Sequence, residues 1–192
     1  MGNMGLPMTD NLKKAGFDVT GYDISAEVKK EAQARGTKMA ESIKEAVNGA
    51  DFVITCLPKT EHVETVLKQP DGIFDSAPKG TMICDVSTIS PVASASFHEE
   101  AQNRGMTFLD SPMSGGITGA SAGTLTFMVG ASEKQFEESK EVLSGMGTNF
   151  FHCGPPGNGE IAKLCNNLML GINMIACAEG LAIGQKLGIP AL

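Results

Sequence analysis

Short β-rich runs alternate with helical patterns from the first residues to about position 155. That order predicts a parallel sheet with helices on both faces. The predicted strands are Val19 to Asp23, Thr37 to Met39, Phe52 to Cys56, Thr81 to Val86, Met106 to Asp110, Thr124 to Gly130 and Asn149 to Cys153. Met8, Leu12 and Ala15 lie at i, i+4 and i+7 with Gly16 as a stop, so the chain opens almost directly into a helix. Ser90-Pro91 reads as an N-cap and first helical residue. Ser132 with Gln135 makes a capping box ahead of Phe136, Val142 and Leu143. Gln69 to Gly80 reads as a Pro/Gly-rich connection, and no internal repeat interrupts the order.

The last segment differs. From about Glu160 to Leu187 there is no Pro and no turn signal, which predicts a helix of about 28 residues and roughly 42 Å. It is apolar nearly all round, so it needs cover on most sides, and little sequence follows Gly188 and Pro190 to supply it. The expected organisation is a domain over 1–158, then a helix over 159–192 that begins a second, truncated domain.

An apolar share of 42% in 192 residues is enough for a substantial soluble core. No apolar stretch is expected to approach the roughly 20 residues that span a bilayer, and no basic-apolar or Arg-rich leader opens the chain. A net charge of -7 with scattered Lys and Arg argues against a nucleic-acid surface. Cys56, Cys84, Cys153, Cys165 and Cys177 show no metal-ligand spacing. Their odd number argues against a disulfide framework, so they read as reduced, mostly buried thiols in cytosol or mitochondrial matrix. His62, His98 and His152 are far apart and read as surface or packing residues, leaving no metal site.

The candidate chemistry begins at Met1-Gly2-Asn3-Met4-Gly5. These residues read as the tail of a G-x-G-x-x-G turn whose first glycine and preceding strand would lie before residue 1. Taken alone, the two glycines are better accounted for by a flexible terminus. Asp23 stands at the end of the next strand, 18 residues after Gly5. An acid there can accept from the adenosine ribose hydroxyls and repel a 2'-phosphate, favouring NAD over NADP. It can also be a plain turn or cap residue.

Asp110-Ser111-Pro112-Met113-Ser114-Gly115-Gly116 follows another strand. Ser114, Gly115 and Gly116 can offer a hydroxyl and closely spaced N–H groups to a carboxylate, or form an ordinary turn. Gly154-Pro155-Pro156-Gly157-Asn158-Gly159 leads into the long helix, where Lys163 and Asn167 lie one turn apart on one face, with Asn166 beside them. The helix N-terminus and burial both lower a lysine pKa, as acid-base work near neutral pH requires. A snorkelling Lys163 with surface asparagines is the alternative. The apolar neighbours Ala162, Leu164, Cys165, Leu168, Met169 and Leu170 favour the first reading.

Taken together, Gly2-Asn3-Met4-Gly5, Asp110 to Gly116, and Gly154-x-x-Gly157-x-Gly159-x-x-x-Lys163-x-x-Asn166-Asn167 resemble the β-hydroxyacid dehydrogenase family. Thr124 to Gly130 and Lys163-Leu164-Cys165-Asn166-Asn167 resemble its 3-hydroxyisobutyrate branch. The resemblance implies a Rossmann-type doubly wound, mostly parallel sheet, then a long interdomain helix and an all-helical C-terminal domain. This chain departs from it by lacking the first strand and by stopping near the end of the long helix, so two strands should lose a neighbour.

By the same resemblance, Lys163 is the acid-base, Asn167 with Asn166 orients the reacting oxygen, and Ser114, Gly115 and Gly116 hold the substrate carboxylate. Gly2, Asn3, Met4, Gly5, Asp23, Leu57, Pro58, Ser87 and Thr88 line the NAD site. The implied activity is NAD-dependent oxidation of 3-hydroxyisobutyrate to methylmalonate semialdehyde, in valine catabolism, by an enzyme expected to be a homo-oligomer when full length. An NADPH-dependent glyoxylate or semialdehyde reductase and a non-catalytic binding module are the alternatives.

Overall fold

The computed structural model describes residues 1–190. Helix α1 (Gly2–Lys14) opens the chain and buries Leu6, Met8 and Leu12. Then come β1 (Thr20–Gly21), α2 (Ala26–Ala34), β2 (Lys38–Met39), α3 (Ile43–Ala46), β3 (Phe52–Thr55), α4 (Thr60–Lys68), α5 (Ile73–Ser76) and β4 (Met82–Asp85). The order continues with α6 (Pro91–Asn103), β5 (Thr107–Asp110), β6 (Met113–Ser114), α7 (Gly116–Ala122), β7 (Leu125–Gly130), α8 (Glu133–Leu143), β8 (Gly147–Gly154) and α9 (Asn158–Lys186).

Local sequence accounts for most of these boundaries. The Ser90 hydroxyl caps α6 by accepting from the Ala93 N–H, with Pro91 in the first turn. Ser132 and Gln135 complete their capping box at α8. The segment read as a plain Gln69 to Gly80 connection instead contains α5, because Ile73 and Phe74 are buried against the core and draw it into one turn.

The predicted α/β class is what the chain adopts, with its strands in two sheets. In the larger, β3, β4 and β5 run parallel, and β7 pairs antiparallel with β5 and β6 and parallel with β8. In the smaller, β1 pairs with β2 alone. Among the described residues no strand joins β1 to β3. A ladder on one edge only leaves β1 at two residues, where the sequence predicted Val19 to Asp23.

Alternation along the central strands sends side chains to two cores, one per face. Cys84 and Leu109 join Met8, Leu12, Phe127 and Leu143 on one side. Ile83 and Phe108 join Val63, Leu67 and Phe97 on the other, where the Phe97 and Phe108 rings meet edge to face at 5.9 Å.

The expectation that no segment is apolar enough to span a bilayer is corrected by α9. At 29 residues, with a window of mean hydropathy 1.4, it meets the length and composition of a membrane-crossing helix. The sparse polar residues Lys163, Asn166, Asn167 and Glu179 do not offset the Leu, Ile, Met and Ala between them. Its first turns are docked on the sheet through buried Gly159 and Glu160, whereas Leu168, Met174, Ile175 and Leu181 lie at least 64% exposed.

Candidate functional site

Turns at the C-terminal ends of adjacent parallel strands converge where the chain's glycine-rich segments also meet, the usual place for a ligand in such sheets. After β3 comes Cys56-Leu57-Pro58, and after β4 comes Val86-Ser87-Thr88. The two are tied together through Asp85. Its Oδ1 accepts from the Thr55 hydroxyl at 2.8 Å and the Ser87 hydroxyl at 2.5 Å, while the Ser87 oxygen accepts from the Leu57 N–H at 2.9 Å. Ser87 is therefore a buried strut, while Thr88 and Pro58 are exposed on the cavity wall.

Across from these turns, β6 carries Ser114 against Thr126 of β7, and the chain swings through Gly115 (φ 126°) into α7. That φ favours glycine. A Cβ on Gly116 would meet nothing within 4 Å, so this backbone faces open space. Lys163 projects from the second turn of α9 into the same cavity, of about 650 Å³. Asn3 and Met4 of α1 line it too, as do the apolar Met113 and Leu170. Among the described residues Lys163 is the single charged side chain in that wall, and none of them brings a carboxylate to it.

The helix that presents Lys163 begins without a capping side chain of its own. Its N-cap is Gly157, at φ 89°. The cap comes from Asp110 at the end of β5, whose carboxylate accepts from the Gly157 N–H at 2.8 Å and the Glu160 N–H at 3.0 Å. Gly159 and Gly130 leave room for that carboxylate, since a Cβ at either would collide with it. Glu160 is fully buried, and its Oε2 accepts from the Ile89 N–H at 3.1 Å. These contacts dock the start of α9, whose Lys163 lines the same cavity as the Ser114 loop.

Electrostatics follow from burial. It pushes Glu160 up to about 8, with the nearby Asp85 and Asp110 charges adding to the effect and the Ile89 N–H opposing it. Burial likewise takes Asp85 up to about 6, against the lowering effect of its Ser87 and Thr55 bonds. Lys163 falls below the usual ammonium range through burial, against the pull of Glu160. Cys56, on the cavity wall, is pushed by burial to about 11, so it stays a thiol and is no nucleophile near neutral pH.

The structure thus brings together Lys163, Ser114, Gly115, Gly116, Asn3, Met4, Leu57, Pro58, Ser87 and Thr88. Five predicted residues, Gly2, Gly5, Asp23, Asn166 and Asn167, do not reach the cavity wall. Gly5 is buried within α1, and Asp23 lies beyond Met1 at the end of β1. Asn166 and Asn167 follow Lys163 outside the wall, where the Asn166 amide donates to Asn167 Oδ1 at 3.4 Å. Gly2, at φ 52°, has open space where a Cβ would stand.

At the nicotinamide end these residues fit a dinucleotide, given the helix N-terminus, the open glycine backbone and the strand-end turns. At the adenosine end Asp23 has the expected charge. Burial raises its carboxyl, but the Met1 ammonium at 2.5 Å and the Ser25 N–H at 2.9 Å outweigh this and hold it below the ordinary carboxylate value.

Asp85 and Glu160 were not singled out from the sequence, and Asp110 was read as part of the carboxylate loop rather than as a cap. The signal for the cap lay in Gly154 to Gly159, where no Ser, Thr or Asp precedes the helix at Gly157, so a distant acceptor had to serve.

Comparison with known proteins agrees with this geometry. Residues 1–154 match the family described as the NAD binding domain of 6-phosphogluconate dehydrogenase, and residues 157–191 match the NAD-binding region of NADP-dependent 3-hydroxyisobutyrate dehydrogenase. The NAD-dependent L-serine dehydrogenase of Pseudomonas aeruginosa is 42% identical over 100% of this chain and 64% of its own length. The probable mitochondrial 3-hydroxyisobutyrate dehydrogenase of Dictyostelium discoideum is 43% identical over 98% of this chain and 59% of its own. The solved structure of Mycobacterium tuberculosis 3-hydroxyisobutyrate dehydrogenase with L-serine superposes with a TM-score of 0.93 at 42% identity, covering 99% of this chain and 64% of that one. The chain belongs, over residues 1–154, to the family described as the NAD binding domain of 6-phosphogluconate dehydrogenase, within the wider class of Rossmann-type NAD-binding proteins. It spans about three-fifths of the length of these curated relatives.

Proposed function

We propose that this chain carries the cofactor- and carboxylate-binding side of an NAD-dependent dehydrogenase that oxidises 3-hydroxyisobutyrate to methylmalonate semialdehyde. The observation that supports it is a lysine with a lowered pKa in a cavity wall that also contains the Ser114-Gly115-Gly116 turn. The Ser114 hydroxyl and the two glycine N–H groups receive the substrate carboxylate, which fixes the hydroxyl-bearing carbon near Lys163. NAD⁺, when bound, supplies the hydride acceptor. Neutral Lys163 takes the hydroxyl proton, and the family resemblance assigns the reacting oxygen to Asn167, one turn further along α9, with Asn166 beside it.

L-Serine is the second reading, favoured by the name of the Pseudomonas relative and by the ligand of the mycobacterial structure. Serine carries an ammonium where 3-hydroxyisobutyrate carries a methyl group. The apolar Met113 and Leu170 suit the methyl group and offer the serine ammonium no partner. Asp23 favours NAD over a 2'-phosphorylated cofactor, which argues against an NADPH-linked glyoxylate or semialdehyde reductase. Lys163 in turn argues against a non-catalytic module. Within this reading the enzyme serves valine degradation; relatives named as mitochondrial favour the matrix for a eukaryotic source, and the cytoplasm suits a bacterial one. The exposed apolar face of α9 suits a second copy of the chain better than nucleic acid or membrane.

Steady-state rates of the enzyme at its relatives' full length test the reading, the 192 residues alone being expected to be inactive. 3-Hydroxyisobutyrate with NAD⁺ should give a higher kcat/KM than L-serine or than the same substrate with NADP⁺. Lys163→Ala should lower turnover by about a hundredfold or more with NAD affinity unchanged. Retained turnover in that variant contradicts the assignment of Lys163.

A further inference from the structure

One helical turn before Lys163, on the same face of α9, the Glu160 side chain is shut away from solvent. Its Oε2 is fixed by the Ile89 N–H, but its Oε1 is buried with no partner, and so is Oδ2 of Asp85. An ionised, unpartnered oxygen at that depth is costly, and two in one place more so. We infer that Glu160 is a positioning residue for Lys163: it stays a neutral acid while Lys163 is the free amine, and when it ionises it returns the lysine to the ammonium form.

The inference deepens the reading of Lys163 as acid-base and rests on it. The titratable groups whose charges reach Glu160 are Asp85 at the end of β4, Asp110 at the end of β5, and Lys163 on its own helix. Other elements packed on α9 leave this balance alone. In β7 there is no titratable residue. His98 of α6 is held at the Phe108 carbonyl and His152 of β8 at the Ala131 carbonyl, while Glu99 of α6 is exposed and Glu100 pairs with Lys68 and Arg104. Cys153 of β8 faces the Asp110 charge and, half buried, is pushed upward by burial first. With both neighbouring acids repelling a third negative charge, the proton on Glu160 keeps Lys163 from being locked as half of an ion pair. The free amine is then available to accept a proton from a bound hydroxyl.

Titration of single side chains tests this without relying on turnover. In the 192-residue chain labelled with ¹³C in glutamate and lysine, the Glu160 carboxyl signal should titrate near about 8, far above an ordinary glutamate. The Lys163 Cε signal should show an inflection at the same pH. Glu160→Gln keeps an oxygen for the Ile89 N–H, and in it the Lys163 curve should become a single step displaced to lower pH. Ionisation of Glu160 in the ordinary carboxylate range overturns the inference, as do superimposable Lys163 curves in the two proteins. Should the Gln variant not fold, the wild-type carboxyl titration alone decides. Loss of turnover in Lys163→Ala is read separately, so the acid-base role of Lys163 and the part given to Glu160 can fail independently.

Discussion

Asp110 and Asp85 end neighbouring parallel strands in direct register, so two carboxylates lie side by side under the site. Asp110 caps α9 through two N–H bonds, and Asp85 holds two strand-end turns through Ser87 and Thr55. Asp110→Asn turns one acceptor into an NH₂ facing a helix N–H. The loss should be roughly 1–3 kcal/mol, read as a lower urea midpoint with unchanged slope.

The acids also set a pH dependence. Asp85 and Glu160 have folded values of about 6 and about 8, above their ordinary 3.8 and 4.5. The folded state thus binds more protons than the unfolded one in that interval. Stability from these groups is fully present below the ordinary values and is lost as pH rises through about 6 and then about 8. Unfolding free energies measured from acid to mildly alkaline pH should fall accordingly, and Glu160→Gln should flatten the upper part of the decline. An unchanged slope in that variant contradicts the buried acid. That Lys163 and the Ser114-Gly115-Gly116 turn share one cavity could be anticipated through the family resemblance, since the turn taken alone reads equally as an ordinary one. The roles of Asp85 and Glu160 could not, because what sets them apart is burial beside groups remote in sequence.

Among the elements, α9 bears most on function because it carries Lys163. Its start rests on close approach, since a Cβ at Gly159 would meet the Met128 carbonyl and the Asp110 carboxylate. Gly159→Ala should therefore cost about 1–3 kcal/mol, measured as a lowered Tm, and an unaltered Tm contradicts this docking. Periodicity located the longer elements to within one to three residues, because alternation in strands such as Met82–Asp85 and caps such as Ser132 are local signals. It missed α3, α5 and β6, which are short and owe their form to tertiary contact, as with Ile73 and Phe74. The apolar surround of α9 was legible. Its fitness by length for a bilayer was not, because scattered polar residues were weighed individually rather than against the window as a whole.

At the scale of the molecule, the α/β order could be read from the chain, while the division into two sheets could be anticipated only through family resemblance. The cavity depends on parts distant in sequence: the turns after β3 and β4, the Ser114 loop, the start of α1 and the lysine of α9. No single segment encodes it, although each left a glycine or strand-end motif. The proposal requires that Lys163 and the Ser114 loop bind one small carboxylate together. The most direct test follows the Gly115 and Gly116 amide signals and the Lys163 Cε signal while 3-hydroxyisobutyrate is added to the NAD-loaded protein. All three should shift along one binding curve, and Lys163→Ala should leave the two amide shifts in place. Saturable binding that moves neither glycine amide and leaves Lys163 unperturbed would contradict the account.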